Sequence, residues 1–585
     1  MTKIHVLDPD TVNQIAAGEV VERPASVVKE LLENAIDAGS TSILVDVASD
    51  MAGITKIRVT DNGEGMTPEE AALAFHPHAT SKIRDIADLS AIRTLGFRGE
   101  ALASIAAVAE VTLVTRPRGG GALAGTRLVV RGGEVVEKSE VGAPEGTTVM
   151  VERLFYNTPA RRKFLKSRNT ELAHVYAVVE NLALAHGEVA FRVVHNGKER
   201  MATQRSGELL TTIAGLYGAE LARALVPFEG RLPFLRIGGY ISRPSESRGN
   251  PSQVFISING RSISSRQIAA AVREGYGTLL PKDRYPVAFL ELSIDTNLVD
   301  VNVHPTKREV RLSREREITV AIAAAVEEAL AGHDLARETP AEPMQQQIVA
   351  RGIEPVPSPP PVSEPGASYT AGHRELTLSD KQLRRTETEG GENLLPAMEP
   401  IGQVAATYIV AEGADGTLYL VDQHAAHERV LYDQVTERRD RASGSQELIM
   451  PVVLSLPPKE SAALRDMIPL LADEGFVVEE FGRDTFAVRA VPAALGAVED
   501  PGMVREAIAD LLTDEARTAP DRREAVTCIV ACRGAVKAGA RLTHDQQKRL
   551  LMQLARTTTP WTCPHGRPTV VAFDKRRLDG MFRRG

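Results

Sequence analysis

A carboxylate and a carboxamide stand one helical turn apart at Glu30 and Asn34, inside "KELLENAIDAGS" (29–40). Around them Val27, Val28, Leu31, Leu32, Ala35 and Ile36 recur at helical spacing and line a core, with Gly39 as a stop. Glu33 and Asp37 repeat the spacing and read as helix solvation and salt pairing. Asn is a mediocre helix former, so its presence asks for a chemical reason, although spacing alone also describes a solvated face. Next, "KIRVTDNGEGM" ends a strand at Asp61, whose carboxylate can accept a hydrogen bond from an exocyclic amine. Gly63 and Gly65 let the backbone turn tightly and approach a ligand. "HATSKI" supplies Thr80, Ser81 and Lys82. "LGFRGEALASI" sets Gly96 and Gly99 ahead of a helix N-terminus, which suits phosphate. "EGTTVMVERL" adds a glycine-bearing turn into a strand, with Thr147 at its start. No GxxxxGK[ST] run is present, so a P-loop is not the competing explanation.

A second set lies near the C-terminus. In "VDQHAAHERVLYD" (421–433), Asp422 and His424 alternate at a strand end, and His424 and Glu428 are one helical turn apart. "ACRGAVKAG" contributes Cys532, and "CPHGRP" contributes Cys563 and His565. Mixed His, Glu and Cys donors suit Zn²⁺, or Mn²⁺ where oxygens dominate. The apolar-flanked Cys528 reads as a small core residue. A third set is cationic: "RLFYNTPARRKFLKSR" carries Arg153, Arg161, Arg162, Lys163, Lys166 and Arg168 with aromatics interleaved. Such a cluster binds phosphates without reading bases, and charge pattern alone equally describes a solvated face.

The elements that must position these groups follow from the chain as a whole. Its 585 residues exceed one core. Composition is that of a globular protein, 43% hydrophobic and 25% charged, and the formal net charge of −8 confines any nucleic-acid contact to local patches. Residues 541–585 are such a patch, with ten Lys or Arg against three Asp. No apolar run of about 18 residues predicts a membrane span, and "MTKIHVLDPD" lacks the apolar core of a secretory signal. Three cysteines in so long a chain argue for a reducing, cytoplasmic setting. The Pro-, Ser- and Glu-rich 336–395 reads as a disordered linker. Residues 1–215 alternate helices with strands such as "SILVDVA", "KIRVTD" and "RLVVRGGEVV", and 216–335 hold further strands and a helix near 315–331. The fold class is therefore α/β followed by α+β. Residues 396–585 open with a hairpin at "TYIVAE"–"GADG"–"TLYLVDQ" and carry an inserted subdomain at 440–540.

The order of the first set resembles the GHKL ATPases, an α/β sandwich fold. "NQIAAGEVVERPASVVKELLENAIDAGS", "HATSKI", "LGFRGEALASI", "LFYNTPARRKFL" and "VDVNVHPTKREVRL" resemble one branch, the MutL family of DNA mismatch-repair ATPases, over nearly all of 1–335. The resemblance implies ATP and Mg²⁺ as cofactors. It makes Glu30 the general base and Asn34 the Mg²⁺ ligand, with Asp61 on the adenine amine. Gly63, Gly65, Gly96, Gly99, Thr80, Ser81, Lys82 and Thr147 would border the nucleotide, and Lys307 of the second domain would reach the γ-phosphate. The second set resembles the endonuclease-type C-terminal domain of that family, with motifs DQHA-x2-E-x4-E, ACR, CPHGRP and a terminal F-x-R at Phe582-Arg583-Arg584. Asp422 and Glu428 would be catalytic, with His424, Glu428, Cys532, Cys563 and His565 as metal ligands. Asp433 stands where the family has Glu; if it contributes charge alone, Asp433→Glu remains active. Gln446, Leu448, Ile449 and Pro451 in "SQELIMPVVL" resemble the peptide by which MutL nucleases bind the replication sliding clamp; the same residues also read as an edge strand.

The expectation is an ATP-switched homodimer that binds DNA and a mismatch-recognition protein, and nicks one strand. The rival is a non-nuclease matchmaker with a structural zinc; another GHKL protein, a kinase or chaperone, lacks the repair-type stretches.

Overall fold

A computed structural model of the chain describes residues 18, 20–77, 79–82, 94–96, 99–119, 124–247, 253–280, 284–300, 310–331, 395–439, 445–482, 484–492, 501–513, 524, 526–529, 541–564 and 566–582. Residues 336–394 of the expected linker, Lys307, Cys532, His565, Arg583 and Arg584 lie outside the described residues. Two compact units result, one from Met1–Leu335 with Gln434–Gly534, the other from Ala336–Asp433 with Ala535–Gly585.

The first unit begins with α1 (Pro24–Asp37), started by a proline at its first turn and ended by Ala38 and Gly39, the latter at φ +69°. Its sheet comprises β1 (Ser42–Asp50), β2 (Gly53–Asp61), β3 (Glu110–Arg116), β4 (Ala124–Arg131), β5 (Glu134–Gly142), β6 (Gly146–Glu152), β7 (Ala190–His195) and β8 (Lys198–Ala202). The strand order is β5-β4-β3-β6-β2-β1-β7-β8. Neighbours are antiparallel except β1 and β7, which run parallel. "RLVVRGGEVV" is two paired strands, not one, because Gly132 and Gly133 both take positive φ and turn the chain between β4 and β5. Helix α2 (Arg168–Ala185) packs with α1 over this sheet. Val27, Val28, Leu31 and Leu32 meet Ile43, Val45, Val175 and Val179 there in one buried cluster. Burying each such side chain stabilises the fold by about 1.5–3 kcal/mol, and it leaves the remaining side of α1 for polar groups.

A second cluster starts at Val226. Its sheet holds β9 (Leu225–Leu232), β10 (Leu235–Ser242), β11 (Val254–Ile258), β12 (Arg261–Ile263) and β13 (Ala288–Ile294), in the order β12-β11-β13-β10-β9. Helices α3 (Arg266–Gly275) and α4 (Glu315–Ala331) cover it, α4 where a helix near 315–331 is expected. A short ribbon joins β14 (Val299–Asp300) to β15 (Arg311–Leu312). The same unit includes β19 (Ser445–Ser455), β20 (Val477–Gly482) and β21 (Thr485–Pro492) around a core of their own, with β19 at the sheet edge. Cys528 is half-buried rather than fully in the core, beside the buried Val526 and Thr527.

In the second unit β16 (Met398–Val404), β17 (Tyr408–Gly413), β18 (Leu418–Asp422) and β22 (Val570–Phe573) form an antiparallel sheet in that order. The β17–β18 hairpin turns where "GADG" predicts, with Asp415 accepting from the Thr417 amide at 3.1 Å. Helix α5 (Gln423–Arg439) follows β18 directly. Ile409, Val421, Ala426 and Val430 pack with Leu550, Leu554 and Val570. Among the described residues no helix is long and apolar enough to cross a membrane.

Candidate functional site

The polar side of α1 is held by segments far away in sequence. Glu30 and Asn34 are half-buried. The Lys82 ammonium donates to Asn34 Oδ1 at 2.8 Å and to Asp37 Oδ2 at 2.5 Å. Asp37 also accepts from the Leu95 amide (2.9 Å) and the Gly96 amide (3.1 Å). Asp37 is therefore the fastening point of this site; like Glu33, which is 7% exposed and pairs with Lys29 at 3.4 Å, it forms the expected salt pair but is not a solvated residue. Sequence reasoning missed Asp37 as a site residue. The available signal was its place on the same helix as Glu30 and Asn34, with lysine in "HATSKI" as a partner.

Gly99 sits at φ +65°, and a Cβ there would lie 2.5 Å from Ala79 O, so the turn before the next helix rests on the 79–82 segment. Thr80 Oγ1 accepts from the Lys82 amide at 3.2 Å. Thr80, Lys82, Gly96 and Gly99 thus gather beside Asn34; Ser81 is exposed. An amide oxygen and a carboxylate are hard donors of the kind Mg²⁺ takes, and both already accommodate a cation in the Lys82 ammonium. The residues fit the metal.

Asp61 closes the other end. Its Oδ1 accepts from the Gly63 amide at 2.8 Å and from Ser40 Oγ at 3.2 Å. Burial pushes the carboxyl's pKa up, opposed by those bonds, by one from Thr147 and by the Arg118 charge. Thr147 pairs with Asp61 across β2 and β6, and its hydroxyl meets Thr115 Oγ1 at 3.0 Å. Asp61, Gly146, Thr147 and Thr148 line one small cavity with Ala143, Pro144, Glu145 and Val114. Gly65, at φ +66°, lies so close to Arg116 O that a Cβ would stand 2.0 Å from it.

The cationic segment is smaller than its sequence suggests. Arg162, Lys163, Lys166 and Arg168 are exposed, with Phe164 84% exposed among them on the Pro159–Phe164 helix and its exit. Arg161 is half-buried with its guanidinium against Gly18. Arg153 is taken up by Glu110 at 2.7 Å and lies over the Tyr156 ring.

In the second unit, Asp422 Oδ1 accepts from the His424 and Ala425 amides at 2.9 and 3.0 Å and caps α5. His424 Nε2 lies 3.1 Å from Glu428 Oε1, and Glu428 is 3% exposed. Burial, with the His424 charge beside it, holds His427 down to about 4, so it is neutral. The chain returns after about 140 residues: Val570 pairs with Val421, and the Asp422 amide donates to Thr569 O at 2.9 Å. Arg429 Nε donates to Thr562 O at 2.7 Å. "CPHGRP" is a tight turn, with the Cys563 amide on Arg567 O at 2.8 Å and Cys563 1% exposed. Asp433 accepts from the Thr558 amide (2.5 Å) and hydroxyl (2.9 Å). Among the described residues no three His, Cys, Asp or Glu side chains form a group that could hold a metal; His424 and Glu428 fit two ligands of an ion that takes nitrogen and oxygen.

On β19 the residues from Leu448 to Pro451 leave the ladder with β21 between Glu447 and Val452. Ile449 and Met450 are fully outward, at 103% and 77% exposed. Leu448, expected as an anchor for a partner, instead packs on the subdomain core, while Gln446 is half-buried and Pro451 exposed.

Family models match three stretches: "Histidine kinase-, DNA gyrase B-, and HSP90-like ATPase" at 22–128, "DNA mismatch repair protein, C-terminal domain" at 213–331, and "MutL C terminal dimerisation domain" at 401–542. The DNA mismatch repair protein MutL of Methanoculleus marisnigri is 90% identical over 585 residues, 100% of both chains. That of Methanocorpusculum labreanum is 47% identical over 588 residues, again 100% of both. The solved ATPase domain of Aquifex aeolicus MutL complexed with ADP is 26% identical, spans 47% of this chain and 93% of its own, and has a TM-score of 0.36.

Proposed function

We propose, for a chain that belongs to the MutL family of DNA mismatch repair proteins, that ATP bound on α1 controls incision of DNA by the C-terminal region of a homodimer. The N-terminal region is a GHKL ATPase domain and the C-terminal one a MutL dimerisation domain. In this reading Glu30 takes the proton of the attacking water, Asn34 holds Mg²⁺, and Asp61 accepts from the adenine amine. Mg²⁺ when bound neutralises phosphate charge. Lys307 contributes a second cation at the γ-phosphate. Arg161, Arg162, Lys163, Lys166 and Arg168 hold DNA phosphates without base readout, and the mismatch signal comes from a recognition protein.

Incision is assigned to Asp422, His424, Glu428, Cys532, Cys563 and His565, which would hold Zn²⁺ or Mn²⁺; such an ion supplies an activated water at neutral pH. One observation carries this reading: the return of the 562–570 segment onto β18 and α5, which brings the Cys563 turn to the helix that bears His424 and Glu428. Ile449 and Met450, on their bulge, are the outward residues of the segment assigned to the sliding clamp. A second reading, a structural zinc in a non-nuclease matchmaker, draws on the burial of Cys563 and on the capping role of Asp422.

Nicking of supercoiled plasmid in a Mn²⁺ titration separates the two. Asp422→Asn keeps an N-cap acceptor and Glu428→Gln keeps the shape. Both should lose nicking and retain ATPase. Wild type that does not nick at any Mn²⁺ or Zn²⁺ level, yet hydrolyses ATP, overturns the nuclease reading in favour of the matchmaker.

A further inference from the structure

The second sheet sends one side chain into the first domain, and the backbone explains why it arrives there in a fixed direction. Strands β11 and β12 are joined by Asn259 and Gly260 alone, at φ +50° and +78°. Positive φ at both positions is the two-residue turn that matches the twist of a hairpin. Asn259 is tied at both ends of its amide: Nδ2 donates to Ile294 O at 2.8 Å and Oδ1 accepts from the Ile294 amide at 2.9 Å. Gly260 lies against the ATPase domain at the end of α2, where a Cβ would stand 3.2 Å from His186 Cε1. The next residue, Arg261, is therefore launched from a turn pinned to β13. Its Nη2 donates to Thr94 O at 2.6 Å.

Thr94 immediately precedes the two amides that donate to Asp37. The three-residue turn 94–96 is thus gripped twice: from α1 by Asp37, and from the second domain by Arg261. Asp37 shares Lys82 with Asn34, so a shift of this turn reaches the residue assigned to Mg²⁺. Burial lowers the pKa of the Arg261 guanidinium, and the nearby Glu33 and Asp37 charges oppose that shift.

We propose that Arg261 is a positioning residue of the ATPase, which sets the turn 94–96 against Asp37 according to the placement of the second domain. The inference rests on the ATP reading above and adds to it a cross-domain contact made by a residue that touches no nucleotide. Removing one hydrogen bond from a charged donor corresponds to about a 10- to 100-fold effect. Because the contact holds geometry and not substrate, kcat should fall by about that factor, with KM unchanged within about threefold.

The test compares wild type, Arg261→Ala and Arg261→Lys in the full chain, with ATP kinetics and hydrogen exchange at the Leu95 and Gly96 amides. Exchange at both amides should accelerate about 10-fold or more in Arg261→Ala, with no bound nucleotide required, and Arg261→Lys should recover part of both effects. Unchanged kcat and unchanged protection in Arg261→Ala overturn the proposal. So does a global drop in thermal midpoint that Arg261→Lys fails to rescue, since the residue then only supports the fold. Wild type without ATP turnover refutes the ATP reading separately, and the exchange measurement on the nucleotide-free protein still decides whether Arg261 positions the turn.

Discussion

Asp433 tests whether the departure from the family's Glu is a change in chemistry or in architecture. Its carboxylate is 9% exposed at the side chain, pairs with Arg429 at 3.3 Å and receives both the amide and the hydroxyl of Thr558. Arg429 in turn holds Thr562, one residue before Cys563. Asp433 is thus one of the posts that fix the returning segment. Asp433→Asn keeps an oxygen for Thr558 but turns an amide donor toward the guanidinium. Downgrading two charge-assisted hydrogen bonds costs roughly 1 kcal/mol. Leaving a buried guanidinium without its carboxylate costs about 2 more, below the 3–5 kcal/mol range for a fully broken pair, because Thr562 remains. A loss of about 3 kcal/mol lowers the midpoint of a unit this size by about 6–12 °C.

The assay is built into the chain. Trp561 is the single tryptophan, lies between Thr558 and Cys563, and is 43% exposed, so its fluorescence follows unfolding of this segment. Asp433→Glu must place another methylene in the same buried site, costing about 1–3 kcal/mol. It should also lower the Trp561 midpoint, even if the retained charge keeps the variant active. A midpoint for Asp433→Asn within about 1 °C of wild type refutes the structural role. If nicking disappears under that condition, Asp433 acts on the chemistry directly.

Three further outcomes follow from the same geometry. Glu30→Ala should bind ATP yet hydrolyse it at least about 100-fold more slowly, whereas Asn34→Ala should lose Mg²⁺-dependent affinity; equal turnover in Glu30→Ala and wild type sinks the base assignment. Ile449→Ala with Met450→Ala should abolish clamp-stimulated nicking with no change in melting, while Leu448→Ala should lower stability by about 2–5 kcal/mol, and clamp stimulation that survives the double variant rules this segment out. Burial raises the pKa of Glu180, which accepts from the Tyr217 hydroxyl and is eased by the Lys459 charge. A raised folded pKa means that its stabilising contribution is present below the unfolded value of 4.5 and lost as pH rises through the folded one. Glu180→Gln should therefore gain about 1–4 kcal/mol over wild type at pH 7, a gap that closes toward pH 4.5; a gap that widens on acidification contradicts the sign.

The sequence carried what depends on local pattern. Periodicity of Val27, Leu31 and Ala35 with Gly39 at the end defines α1, and "GADG" between alternating strands defines the β17–β18 turn. Asp37 was not legible because its role is made by Lys82, Leu95 and Gly96, at least 45 residues away in sequence and brought near only by folding. Charge pattern also does not reveal that Arg153 pairs with Glu110 and that Arg161 lies against Gly18. Leu448 looked like a partner's anchor because it was matched to a short motif, which does not show that its side chain packs on the subdomain core while 448–451 leave the ladder. Cys563 was read for its donor atom, and the turn that buries it is set by Arg567, which no metal-ligand spacing would single out.

The charges around α1 give the ATP site its coupling. The helix itself offers Glu30, Glu33 and Asp37 on and beside its polar side, with Lys29 committed to Glu33. Three carboxylates would repel a triphosphate, since like charges within a few ångströms in a partly dry site cost several kcal/mol at an effective dielectric of about 20. The compensating cations come from other segments. Lys82 arrives from the turn after "HATS" and is already seated on Asn34 and Asp37. Arg261 arrives from the second sheet. On the reading that puts Mg²⁺ at Asn34, the ion would displace or share the Lys82 ammonium and release one of the three contacts on Asp37. The Leu95 and Gly96 amides would then hold the turn to Asp37, with Arg261 gripping it separately at Thr94. In that reading nucleotide occupancy and second-domain placement are coupled through the turn that Asp37 fastens. Asp37→Asn, which keeps hydrogen-bond capacity but removes the charge that retains Lys82, should uncouple them: Mg²⁺·ATP affinity should hold within about tenfold, while the exchange rates of Leu95 and Gly96 should cease to depend on nucleotide. Exchange that still responds to nucleotide in that variant would mean the coupling runs by another route.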